Sequence, residues 1–261
     1  MNMNERCESC SKENYKTVPL NRFFEKLDEC FSRNDLPAAG RLLDYWEREA
    51  RALHDERGLL EILNEKIGFY RRTAEKDKAF ATIEQAFELI DTKGIGDRAS
   101  IGTIYVNGAT TMKAFGQARE SIYYYEKAIE IYDGFVANND YRYAALYNNM
   151  SSAYKDIGDY NKCEELCHKA LEILKEKEGY NGEIAVTLIN IAHLYHDQDP
   201  FDDRIYSLMD EAWDRMSSKD NVYDGNFAFF CSKCYPSFGY FGYFEREAEL
   251  KALMDKIYAG N

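Results

Sequence analysis

Apolar side chains recur along most of this chain at intervals of three and four residues, the spacing that lines one face of an α-helix. No stretch alternates apolar with polar as a half-buried strand would, so the expected molecule is all-α. Residues 21–33 and 36–55 read as two helices split by Asn34-Asp35, with Phe23, Phe24, Leu27 and Phe31 on the first and Ala39, Leu42, Leu43 and Trp46 on the second. Residues 227–239 and 243–258 read as a further pair, with Gly242 at the bend. Gly116 and Gly158 stand where one helical pattern stops and another begins, as a left-handed residue after a helix C-terminus predicts. Pro19, Pro37 and Pro200 fall at expected helix starts, where a missing N–H costs little, whereas Pro236 interrupts a helical pattern.

The pattern also repeats at long range. Ala86, Ala128, Ala170 and Ala212 follow one another at 42-residue intervals, each inside a helical segment. Seven residues before them stand Ala79, Ser121, Cys163 and Ile205, and between lie Ile83, Tyr125, Cys167 and Met209. Small, large and small again on one face marks a close helix crossing. A preceding helix in each unit ends near Tyr70, Met112, Tyr154 or Tyr195.

Residues 147–170 carry these features most fully, through Tyr147, Ser151, Tyr154, Gly158, Tyr160, Cys163, Cys167 and Ala170. The unit resembles the tetratricopeptide repeat, two antiparallel helices with small residues where they cross. The unit from Tyr105 matches through Ala109, Met112, Gly116, Ser121, Tyr125 and Ala128. The one ending at Ala212 carries an extra residue in the turn HDQDPFDD. A 42-residue period exceeds the 34 of the ordinary repeat and is similar to the longer repeat of kinesin light chains. The resemblance implies an α-solenoid, a right-handed superhelix of about six helical hairpins. Residues 57–217 carry it best, within a single repeat domain of residues 19–261 preceded by a mobile tail of residues 1–18.

In such a stack the first helices line the concave side, and two ladders fall on them. Asn107, Asn149 and Asn190 each stand two residues before the small core residue, with Asn64 and Asn148 one place earlier on their helices. Asparagine both donates and accepts, so a row of them suits the N–H and C=O groups of an extended peptide. The resemblance to kinesin light chains implies that role for Asn107, Asn149 and Asn190. The second ladder is Arg71, Lys113, Lys155 and His196, with Arg72 beside it. It predicts a positive stripe favouring an acidic segment, a phosphate or a terminal carboxylate. Both ladders also have structural readings: asparagines satisfied by the neighbouring hairpin, and lysines favouring the helix dipole. The full carboxylate clamp of chaperone-binding relatives is not reproduced.

Composition narrows the partner. The 261 residues, 45% of them hydrophobic, exclude a wholly disordered chain, and a net charge of −13 argues against tracking nucleic acid. No apolar run reaches 18 residues and the first ten are polar, so the expectation is a cytoplasmic protein without a membrane anchor. Cys30, Cys163 and Cys167 sit in helical patterns and suit buried thiols. Cys7 with Cys10, and Cys231 with Cys234, each have the spacing of half a zinc site. The pairs lie near opposite ends of the chain, far apart in an extended solenoid. His54, His168, His193 and His196 form no metal motif, and neither a phosphate-cradling loop nor a nucleophile elbow is present. Glu164-Glu165 and Asp202-Asp203 read as solvated faces. No cofactor, metal or catalytic residue is assigned.

The leading reading is therefore a non-enzymatic scaffold that captures an extended, acidic-leaning peptide or protein segment in its concave groove. A peptide-sensing regulatory domain is the alternative, and a zinc-binding or redox protein the weaker one. The aromatic segment from Ser237 to Phe244 reads as the turn of a sixth hairpin, with homo-oligomerisation through its rings as the competing reading.

Overall fold

The computed structural model describes residues 16–260, and within them twelve helices and no strand. They are α1 Leu20–Ser32, α2 Leu36–Ala52, α3 Glu56–Arg72, α4 Lys76–Lys93, α5 Arg98–Ala114, α6 Ala118–Tyr132, α7 Tyr141–Asp156, α8 Tyr160–Lys175, α9 Asn181–Gln198, α10 Arg204–Met216, α11 Gly225–Tyr240 and α12 Phe244–Tyr258. Odd and even helices pair as six hairpins, stacked to form an α-solenoid.

The alanines of the 42-residue repeat sit where the hairpins close. Ala86, Ala128, Ala170 and Ala212 are all 0% exposed, and Ile83, Tyr125, Cys167 and Met209 beside them are buried. A methyl group is what lets two helix axes approach there; a larger side chain would force them apart. Tyr125 shows how a polar ring survives in such a core. Its Oη lies 2.9 Å from Thr110 Oγ1, whose own proton goes to the Val106 carbonyl, so the phenol donates to the threonine.

The same turn recurs after α1, α2, α3, α5, α7 and α11. At Gly158 the N–H bonds the Lys155 carbonyl and the next N–H reaches back to Tyr154. This closes the helix end by the left-handed motif expected of glycine. Gly116 and Gly242 do likewise, but Asn34, His54 and Ala74 adopt the same positive φ without being glycine. The α9–α10 connection differs: Asp199 leaves the helix extended, and Asp199 and Asp202 accept from Phe201 and Arg204. Helix starts are equally regular. Asp35, Asp55, Asp97, Asp140, Asp159 and Asp224 each cap a helix by accepting a backbone N–H of its first turn. Part of the acidic excess is thus spent on folding.

Four expectations change. Val18, assigned to the tail, is buried and donates its N–H to Asp55 Oδ2 at 2.8 Å; residues 1–15 lie outside the described residues. Pro236 does not stop α11, which runs through it with the proline itself exposed. The ends of the stack are not far apart. Consecutive first helices touch, α3 with α5, α5 with α7, α7 with α9 and α9 with α11, while the second helices are set wider. This difference curves the solenoid until α1 meets α11, with Ser32 in van der Waals reach of Gly225. Finally, Cys231 and Cys234 are 0% exposed inside the sixth hairpin, where burial pushes the Cys231 thiol up to about 11 and raises Cys234 further. Among the described residues no group of three or more metal-ligating side chains surrounds them. Cys7 and Cys10 fall outside the described residues.

Candidate binding surface on the inner wall

With the first helices inside, the positions that face the hollow form rows. The row predicted as asparagine reads Glu65, Asn107, Asn149 and Asn190 on α3, α5, α7 and α9, all half-buried. Asn107 is engaged by the wall itself. Its Nδ2 donates to the Asn64 carbonyl at 2.8 Å and to Asn64 Oδ1 at 3.1 Å, and its Oδ1 accepts from Arg71 Nη1 at 2.8 Å. Asn64 thereby serves as support for α5. Asn149 and Asn190 make no side-chain hydrogen bond among the described residues. Asn148 is held by a 2.7 Å bond from its Nδ2 to Thr187 Oγ1, which itself donates to the Glu183 carbonyl. That fixes the amide orientation and leaves Asn148 Oδ1 buried without a donor. Such an orphan acceptor is uncommon in a folded interior.

The basic ladder has a structure its sequence only half disclosed. Each member reaches the next first helix. Arg71 Nη1 donates to Asn107 and to Thr111 Oγ1 at 3.1 Å, Lys113 pairs with Asp156 at 3.3 Å, Lys155 with Asp197 at 2.8 Å, and His196 Nδ1 lies 3.3 Å from Tyr240 Oη. The expected positive stripe is therefore a ladder of ion pairs over α5 to α9. Asp156 and Asp197 recur one place after the ladder, and the offset between hairpins brings each onto the previous lysine. Among the described residues, Arg71 is the ladder member that carries a fixed charge without a carboxylate partner. Burial pushes its guanidinium down, and its hydrogen bonds go to neutral acceptors. Arg72 instead bonds Asn34 Oδ1 at 2.8 Å and covers Phe31.

Glu65 was missed by the asparagine pattern although it heads the same row. Burial, with Asp28 and Glu61 nearby, pushes its carboxyl up to about 7. Lys66, the next residue, points the opposite way. It is buried between α2 and α3, where Asp44 Oδ1 at 2.7 Å and Glu47 Oε2 at 2.5 Å outweigh the cost of burial and hold it charged.

The family model described as "Tetratricopeptide repeat" matches residues 142–203, the region of α7 to α9 that carries Asn148, Asn149 and Asn190. Protein KINESIN LIGHT CHAIN-RELATED 1 of Arabidopsis thaliana is 30% identical over 98 residues. That match covers 37% of this chain and 16% of the relative, so the chain spans a small part of that protein. Among solved structures, BtubC (BKLC) from P. vanneervenii shares the fold with a TM-score of 0.57 at 18% identity, over 88% of this chain and 91% of that one. A Rap protein complexed with Competence and Sporulation Factor gives 0.59 at 13% identity, over 90% and 73%. Period, buried alanines, turns and these likenesses agree: residues 142–203 match the tetratricopeptide repeat, and the chain as a whole folds as a helical solenoid similar to those of the kinesin-light-chain-like type.

Proposed function

We propose that this protein is a non-enzymatic scaffold whose inner wall holds an extended protein segment by its main chain. One observation carries the reading: Asn149 and Asn190, half-buried on successive inner helices, make no side-chain hydrogen bond among the described residues. Each amide offers a donor and an acceptor to the peptide units of an extended segment. Arg71 supplies the anionic preference, at one point rather than along a stripe. The segment is an extended peptide with an acidic group near its α3 end, bound in the cytoplasm; nucleic acid and membrane are not partners.

The experiment is capture from lysate by wild-type protein and by Asn149→Ala/Asn190→Ala, followed by mass spectrometry and titration of the recovered segment. Circular dichroism should be unchanged and affinity should fall about 3- to 10-fold per asparagine, the worth of one or two hydrogen bonds. Undiminished capture by a folded double variant overturns the reading. A regulatory domain that senses a peptide is the second reading, favoured by the α1–α11 contact, a small joint that any change of curvature would break. The Rap protein that shares this fold was solved with Competence and Sporulation Factor. A ligand that alters the radius of gyration in solution scattering supports it.

A further inference from the structure

His193 stands on the inner face of α9 in the same row as Gly68, Thr110 and Ser152, small residues on the earlier first helices. It fills the joint between the fifth and sixth hairpins. Its Nε2 lies 2.9 Å from Ser237 Oγ on α11, and its ring centre is 5.2 Å from Tyr240 and 4.8 Å from Phe241. His196, one turn on, meets the same two rings at 5.2 and 5.6 Å.

The charges around this joint are lopsided. Lys155 approaches from α7, and His196 stands beside His193 on α9 itself. The nearby carboxylate, Asp197, is already bound to Lys155 at 2.8 Å. From Gly225 to Tyr240, α11 has no Asp or Glu at all; it offers Ser237, Tyr240 and the buried Cys234 thiol. On the far side of α11, Glu247 of α12 packs against Gly239. A proton added to His193 thus creates a half-buried cation beside a lysine and a second histidine, with no free carboxylate among the described residues facing it. The two aromatic rings are tilted at 46° and 43°, so they give it only partial cation–π relief.

We propose that the α9–α11 joint is a proton-sensitive hinge, closed while His193 is neutral and loosened when that imidazole is protonated, so that mild acid releases the sixth hairpin from the solenoid. Burial first, and then Lys155, hold the His193 imidazole below its ordinary value. Neutral imidazole is therefore the form the folded joint favours. Stability is full above the unfolded histidine value of about 6.5 and falls as pH drops below it, until the folded group is itself protonated. The α1–α11 contact lies on the same helix, so loosening α11 also opens the seam that closes the stack.

Hydrogen-exchange mass spectrometry on the full chain at pH 7.5 and 5.5, with protection factors corrected for the intrinsic pH dependence of exchange, tests this. In the wild type, α11 and α12 should lose protection several-fold at pH 5.5 while α5 and α6 hold theirs. His193→Gln, which keeps a polar contact to Ser237 without the charge, should remove the difference; His196→Gln should reduce it. Equal protection of α11 at both pH values, or the same loss in folded His193→Gln, overturns the proposal. Should that variant fail to fold, the wild-type His193 signal followed by NMR decides: titration at or above 6.5 overturns the hinge, and titration below it together with the wild-type loss supports it.

Discussion

Ala74 shows what one residue concedes to the architecture. Its φ of +57° places an alanine Cβ in the left-handed region, where Gly116 and Gly158 fill the equivalent turns without strain. Ala74→Gly should raise stability by about 1 kcal/mol, since relief of strain outweighs the extra flexibility of the unfolded chain; a lower midpoint in thermal unfolding would contradict it. Glu65 concedes more. Its folded carboxyl titrates at about 7, above the ordinary value of 4.5, so ionisation costs folding free energy. The cost is absent below about 4.5, grows as pH rises, and is complete above 7. Glu65→Gln should therefore melt higher at pH 8, by on the order of 1 kcal/mol or 2–4 °C, with the gain vanishing near pH 4.5. A gain of the same size at both pH values would mean a packing effect instead. Neither site is legible in a single sequence. Ala74 breaks the residue preference of its turn, and Glu65 becomes unusual only when packing buries it, with Asp28 of α1 and Glu61 nearby.

At the scale of the element, helix ends were more readable than their neighbours. Glycine and aspartate mark turns and caps by their local chemistry, which is why Gly116, Gly158 and the break at Asn34-Asp35 reappear where the sequence placed them. Asp159 accepts from the Lys162 N–H at 3.0 Å, and Asp159→Ala should cost about 1 kcal/mol in urea unfolding with an unchanged m-value. A loss within 0.2 kcal/mol of zero would show that tertiary contacts alone hold α8. Pro236 was misread because the rule against proline in helices concerns a lost hydrogen bond and a clash with the preceding turn. In α11 the helix is held by its buried face, Phe227, Cys231, Cys234 and Phe238, and the proline lies on the exposed one.

Across the whole molecule the core divides in two. One cluster runs from Val18 to Leu166 and the other from Ala144 to Leu250, meeting within α7 and α8. Stability is therefore a sum of neighbouring interfaces rather than one cooperative block. Met209→Ala, a cavity in the second cluster, should cost about 2–5 kcal/mol locally and split thermal unfolding into two steps, with α3 to α6 retaining hydrogen-exchange protection through the first. A single transition lowered as a unit would refute that. The same linear construction explains the ion-pair ladder, since each lysine meets an aspartate supplied by the next hairpin.

By itself the sequence determined the class of helix pair, the 42-residue step and the rows that share a wall, because these follow from periodicity and from small residues at crossings. It could not say which members of a row are spent. Asn107 and Asn149 occupy the same place in the repeat, yet one is locked between Asn64 and Arg71 and the other makes no side-chain hydrogen bond among the described residues. The curvature that joins α1 to α11, the neutralised lysines and the orphan acceptor of Asn148 arise only from distances between hairpins, set by how closely each first helix packs on the next. That spacing is a sum of many side-chain contacts, and no local pattern encodes it.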